Sequence, residues 1–250
     1  MLLENKVAVV YGAGGSIGGA VARTFAREGA QVFLAGRTKA KLDKVAEEIR
    51  SDGGVAETAQ LDALDEHAVN AYVDTVAQRT GRIDISFNLI SLGEVFGSPL
   101  VEMSLEDFSR PITTATRTQF LTTRAAARHM IERGSGVILA FGGTGETAPE
   151  LGGFTVGLDA VEGLRRQWAC ELGSHGVRVV TLKTGGVPET LPEDVPDRDD
   201  IIAGIEQATL LNRTATLADV GDVAAFVASD HARTMTAATV NISCGALVDY

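Results

Sequence analysis

Sulfhydryl is scarce in this 250-residue chain: Cys170 and Cys244 are its two cysteines, and they form no metal or redox motif. Free thiols fit a reducing cytoplasm, and a cytoplasmic location is expected. Long apolar runs are missing as well. None approaches the roughly 20 residues that a membrane span needs, so no membrane partner is expected. The opening MLLENKVAVV passes straight into an apolar run, without the charged, apolar and cleavage regions of a leader. Basic charge is outnumbered, with Lys+Arg 22 against Asp+Glu 33 and a formal net charge of −11. That balance argues against a nucleic-acid or anionic-membrane partner. The histidines His67, His129, His175 and His231 show no metal-ligand spacing, so no metal is expected. Low-complexity linkers and short-period repeats are also absent, which predicts one domain over residues 1–250.

What the chain does have is alternation. Val7 to Val10 reads as a buried strand, followed by a turn through Gly12, Gly14 and Gly15 and a helix, Ile17 to Glu28. Further strands are expected at Gln31–Ala35, Val55–Leu61, Asp84–Ile90, Val137–Phe141, Val177–Leu182 and Thr239–Ile242. Helices are expected at Lys39–Arg50, His67–Arg79, Phe154–Leu172, Asp200–Leu211 and Leu217–Ser229. Met103–Arg133 holds one long helix or a pair broken at Pro111, and Thr184–Asp200 reads as a loop. The strands are short, β-branched and apolar on both faces. The pattern predicts an α/β fold, a doubly wound parallel sheet with helices on both faces.

Val7 to Gly19 organises this reading. A strand, a glycine turn and a helix N-terminus gather backbone N–H groups at one opening, an anion site open to a pyrophosphate. About 20 residues on, an acid would bind the ribose 2′-hydroxyl of NAD; Gly36 and Arg37 stand there, with Lys39 and Lys41 behind. A carboxylate would repel a 2′-phosphate, whereas a guanidinium grips it. NADP(H) is therefore expected in preference to NAD(H).

Over essentially all its length the chain resembles the short-chain dehydrogenase/reductase family. Tyr11-Gly12-Ala13-Gly14-Gly15-Ser16-Ile17-Gly18 lies over that family's Thr-Gly-x-x-x-Gly-x-Gly, with Tyr11 and Ser16 as departures. Asp62-Ala63 matches the acidic pair that holds the adenine amino group, and Asn88 survives from Asn-Asn-Ala-Gly. Gly185 and the stretches Val161–Leu164, Arg178-Val179, Asp219-Val220, Ala228–Asp230 and Asn241–Gly245 fall on later landmarks. The resemblance implies a Rossmann-like domain. Gly12, Gly14, Gly15, Ser16, Ile17, Gly18, Arg37, Asp62, Ala63, Asn88 and Gly185 would then line the cofactor. It also implies a tetramer or dimer formed through Met103–Arg133 and Phe154–Leu172, with Leu164, Trp168 and Leu172 as apolar contacts or as sheet-facing residues. A loop and short helix over residues 184–215 would cover a small-molecule ligand.

The same resemblance leaves the chemistry in question. Relatives reduce carbonyls with a Tyr-x-x-x-Lys pair, a serine and an asparagine, a general acid with an electrostatic helper. Phe154, Leu158, Gly143 and Ala115 fall on those positions here. No catalytic residue is assigned. Thr144, Glu146, Thr147, Asp159, Lys183, Tyr11 and the histidines are the candidates for other roles, with Glu146 foremost. Two functions follow: an NADP(H)-binding regulatory, structural or sensor protein, or an active oxidoreductase or lyase using other groups such as Glu146.

Overall fold

β-Branched runs flanked by 3.6-periodic segments become strands and covering helices. The first half runs β1 (Val7–Tyr11), α1 (Ser16–Arg27), β2 (Gln31–Gly36), α2 (Lys39–Ser51), β3 (Val55–Gln60), α3 (Glu66–Thr80) and β4 (Ile85–Asn88). The second half runs α4 (Leu105–Arg133), β5 (Gly136–Phe141), α5 (Phe154–Leu172), β6 (Val177–Lys183), α6 (Arg198–Gln207), α7 (Leu217–Ala228) and β7 (Ala238–Asn241). The computed structural model describes residues 1–143 and 147–248.

All seven strands are parallel, in the order β3-β2-β1-β4-β5-β6-β7. Because side chains alternate along a strand, each face has its own core. Ala8, Val10, Leu34, Phe87 and Leu139 pack against α1, α2 and α7 through Val21, Phe25, Leu42 and Ala224. Val9, Tyr11, Phe33, Ile138 and Val179 pack against α3, α4 and α5 through Val73, Leu121, Met130 and Leu172. This is the doubly wound α/β sheet that the sequence pattern implies. Strand order reverses between β1 and β4, and their C-terminal ends open a crevice there.

Local chemistry sets the element ends. Asp65 caps α3 by accepting from Ala68 N–H, Ser104 caps α4 by accepting from Asp107 N–H, and Thr216 with Asp219 forms a capping box on α7. Leu105–Arg133 is one unbroken helix, with Pro111 buried in its second turn. There α5 approaches closely: a Cβ on Gly153 would lie 1.9 Å from the Phe108 carbonyl oxygen. β4 stops at Asn88 rather than Ile90 because the Asn88 side-chain oxygen accepts the Ile90 N–H and turns the chain. α6 ends at Gln207 rather than Leu211, since Thr209 N–H closes on Glu206 and Leu211 N–H bonds the Cys244 carbonyl. The expectation of strands apolar on both faces fails at β3, an edge strand with Val55 exposed and Glu57 bonded to Arg79.

Beneath α5 lies a buried ion pair. Arg165 sits 2.9 Å from Glu162 Oε2, which also accepts the Thr239 hydroxyl of β7 at 2.8 Å. Burial pushes the Glu162 carboxyl up, but hydrogen bonds from Arg165 and Thr239, with the Thr181 hydroxyl close by, outweigh it and leave the pKa lowered. Its ionisation therefore stabilises the fold above the ordinary glutamate range, and that contribution is lost as pH falls through the lowered folded value. Arg165→Met leaves the carboxylate without its cation and should destabilise the protein by about 3–5 kcal/mol, read from urea unfolding at neutral pH. The deficit should narrow as the pH falls through the lowered folded value, where Glu162 gains a proton.

Candidate functional site

The crevice begins at the glycine turn. Gly12 has φ +73°, and a Cβ there would meet the Leu89 carbonyl oxygen at 2.3 Å, so β1 can turn this close to the end of β4 only through glycine. A Cβ on Gly18 would meet the Gly12 carbonyl oxygen at 2.3 Å, so the first turn of α1 is pressed onto the loop. Gly15 is the N-cap of α1 and no side chain caps it. It is exposed, and its added Cβ would meet nothing closer than 3.4 Å. The N–H groups of this helix start therefore face open space, with Ser16 as the first helical residue.

Two chambers run from this point and share the walls Gly15, Leu89, Ile90, Ser91, Leu92 and Thr118. One, of about 490 Å³, lies over the ends of β1 and β2 and is lined by Gly12, Gly14, Gly36, Arg37, Thr38, Lys41, Asp62 and Ala63. Arg37 and Lys41 are exposed on its rim, while Lys39 is turned to Asp43. Asp62 accepts the Leu64 N–H at 3.0 Å, which fixes its loop. Tyr11 also lines this chamber. Its phenol is buried without a hydrogen-bond partner among the described residues, and burial, with Tyr72 nearby, pushes its pKa far up.

The second chamber, of about 600 Å³, lies over the ends of β4, β5 and β6. Ser16, Ile17, Gly18, Asn88 and Gly185 line it together with Ala115, Gly143, Phe154 and Leu158. Asn88 donates to the Thr118 hydroxyl at 3.1 Å, which ties the end of β4 to α4. Gly143 has φ +84°, and a Cβ there would meet Lys183 Cβ at 2.7 Å. Leu158 packs on Gly142, where a Cβ would meet Leu158 Cδ2 at 2.7 Å. Gly185 lets the loop after β6 touch the C-terminal turn, since a Cβ would meet Ala246 Cβ at 2.6 Å.

All eleven residues expected at a cofactor, Gly12, Gly14, Gly15, Ser16, Ile17, Gly18, Arg37, Asp62, Ala63, Asn88 and Gly185, thus lie on these two connected chambers. Thr144 and Glu146 lie outside the described residues. Thr147, Asp159 and the four histidines line neither chamber, and His129 instead bonds Asp74 at 2.8 Å. Lys183 is buried with its stem against Gly143. Sequence reasoning missed Glu94, which lines the second chamber. It lies in the loop after β4 with no motif around it, so no sequence signal marks it.

A larger recess, about 1220 Å³, opens at the opposite, N-terminal ends of the strands. Its cations Lys6, Arg23, Arg27, Arg79 and Arg82 are paired with Asp230, Glu48, Asp222, Glu57 and Asp84, so it presents no comparable anion site. Among the described residues no group of three His, Cys, Asp or Glu gathers to hold a metal, and no helix is long and apolar enough to cross a membrane.

Comparison with known proteins follows the same outline. A family profile described as enoyl-(acyl carrier protein) reductase matches residues 12–246. An uncharacterized oxidoreductase YxbG of Bacillus subtilis is 30% identical over 97% of this chain and 91% of its own length. A 3-oxoacyl-[acyl-carrier-protein] reductase FabG of Thermotoga maritima is 28% identical over 99% of this chain and 100% of its own length. Among solved structures, a short-chain dehydrogenase/reductase from Serratia marcescens superposes with TM-score 0.87 at 25% identity, covering 98% of this chain and 99% of the other. A gluconate 5-dehydrogenase from Burkholderia cenocepacia in complex with NADP and tartrate shares the fold with TM-score 0.89 at 24% identity, covering 98% and 96%. With the profile, the full-length relatives and the crevice at the strand-order reversal in agreement, the chain belongs to the short-chain dehydrogenase/reductase family.

Proposed function

We propose that this protein binds a nicotinamide dinucleotide, NADP(H) in preference to NAD(H), and does not reduce carbonyls by the Tyr/Lys route of its relatives. The observation that carries the first half is the uncapped start of α1, with Arg37 and Lys41 on the rim of the adjoining chamber and no acid at Gly36. Gly12, Gly14, Gly15, Ser16, Ile17 and Gly18 would cradle the pyrophosphate. Arg37 would grip the 2′-phosphate, Asp62 and Ala63 the adenine, and Asn88 and Gly185 would border the nicotinamide end. When bound, the dinucleotide supplies a hydride donor or acceptor.

The second half rests on the chamber at the nicotinamide end. Phe154 has no proton to give, Leu158 no charge to lower a pKa, and Gly143 and Ala115 no side-chain hydrogen bond to offer. The replacements are packed into place: Phe154 meets Phe96 edge-on with centroids 5.4 Å apart, and Leu158 fills the space over Gly142. We read the protein as regulatory, structural or sensory, acting through what it binds. It is cytoplasmic in this reading, and residues 184–215 cover the bound small molecule, with Thr184, Gly185 and Thr190 on the chamber wall. A homo-oligomer, dimer or tetramer, would pair through α4 and α5, where half-exposed Phe120 stacks on Trp168. Leu172, by contrast, is in the core.

Fluorescence titration should show NADPH binding more tightly than NADH. Arg37→Ala should weaken NADPH by about tenfold, roughly 1.4 kcal/mol, and leave NADH within about twofold. NADPH oxidation across a panel of ketones and aldehydes should stay at background. Clear turnover that is lost in Glu146→Gln would replace this reading with that of an active oxidoreductase or lyase. Rebuilding the reductase residues with Phe154→Tyr, Leu158→Lys and Gly143→Ser should not restore activity. Gly143→Ser alone should destabilise by about 1–3 kcal/mol, from its positive φ and the contact with Lys183, read as a fall in Tm.

A further inference from the structure

Among the described residues lining the nicotinamide-end chamber, Glu94 is the one ionisable side chain. Its Oε2 is buried and has no hydrogen-bond partner among the described residues. The loop that carries it is held over the chamber. Gly97 N–H bonds the Glu150 carbonyl at 3.1 Å, Phe96 meets Phe154 edge-on, and a Cβ on Gly152 would meet Met103 Cε at 2.6 Å. Phe141, Leu151, Phe154, Leu158, Val161 and Leu247 make the larger part of the wall apolar, with neutral polar side chains such as Ser91, Thr155 and Thr184 between them.

A carboxylate oxygen held out of water without a donor is costly to keep, and an apolar wall offers it no relief. A ligand that brings a charged N–H donor relieves that cost. A neutral ligand relieves less of it, and an anion adds repulsion. An apolar wall with one unsatisfied anionic oxygen matches a ligand of the converse kind, an apolar body with one cationic donor. The empty positions of the carbonyl chemistry agree. Phe154, Leu158 and Gly143 themselves bring no side-chain donor for a neutral carbonyl oxygen, whereas an ammonium group needs only an acceptor.

We propose that this chamber binds a protonated amine on a compact apolar body, with the ammonium group hydrogen-bonded to Glu94. The inference rests on the reading above, which leaves the chamber for a second ligand beside the dinucleotide.

Calorimetry on the full chain at pH 7, with and without NADPH, tests it with probes of one skeleton: benzylamine (protonated), benzyl alcohol (neutral) and benzoate (anionic). Benzylammonium should bind about tenfold or more tighter than benzyl alcohol, and benzoate should bind weakest. Glu94→Gln should abolish the preference for the cation while leaving NADPH affinity within about twofold. Glu94→Ala, scored the same way, guards against a folding defect peculiar to one replacement, and thermal melts report the folding of both. Equal binding of benzylammonium and benzyl alcohol, a preference for benzoate, or a cation preference that survives both substitutions would overturn the proposal. Failure of NADPH to bind would instead strike the cofactor reading, and the comparison of probes in the apo protein would still decide this one.

Discussion

The contact between the first glycine turn and the end of β4 is the constraint on which the site depends. Gly12 turns with positive φ directly beneath the Leu89 carbonyl, and Gly18 brings α1 down onto Gly12. No residue with a Cβ fits at either place without moving the backbone. Because that corner closes where strand order reverses, the chain leaves the paired ends of β1 and β4 toward opposite faces of the sheet, and the start of α1 lines the crevice between. Backbone N–H groups and the helix dipole there would serve the anion site proposed above without any charged side chain. Everything around it refines that site: Arg37 and Lys41 at one end, Asn88 tied to Thr118 at the other.

The two ends differ in character. Over β1 and β2 the walls carry the cations Arg37 and Lys41 and the carboxylate of Asp62, groups suited to the polar parts of the nucleotide proposed above. Over β4 to β6 the walls are mostly apolar with neutral polar side chains between, and Phe154 and Leu158 pack against Phe96 and Gly142. A helix face that carries Phe154 and Leu158 leaves no phenol or ammonium buried there without a partner. The apolar end is thus a self-consistent packing arrangement. Glu94 is the exception within it, and its unsatisfied oxygen distinguishes this chamber from a simple filled core.

Elsewhere the structure spends polar groups on order rather than chemistry. The pair Glu162 and Arg165 locks α5 to β7 through Thr239, and Asp84 joins Arg82 to the Val7 N–H at the start of the sheet. These groups are buried or half-buried, yet they stand away from the crevice. Their perturbed environments reflect fold registration, which is why a buried charge by itself does not mark an active site.

How much was legible in the sequence depended on the range of the interaction. Strand–helix alternation, the glycine turn and the basic Arg37 in place of an acid could be read directly, because a period of two or 3.6 and a turn residue act over a few neighbours, while Asp62 was marked only by the family resemblance. The two-sided core followed from the same alternation. Edges could not be read: that β3 has one strand neighbour, and so exposes Val55, is a property of sheet order. Whether Met103–Arg133 broke at Pro111 was likewise open, and the packing of Gly153 against Phe108 accompanies an unbroken helix. Glu94 carries no local signal at all. Its chemistry appears only when the loop after β4 folds over α5 and removes water from one oxygen, an effect of dielectric and enclosure that a linear sequence does not contain. The sequence by itself determined the elements, the glycine turn and the charge at its rim, because these are local. The tertiary structure decided which residues share a chamber and which polar atom is left without a partner, because burial belongs to the assembled fold.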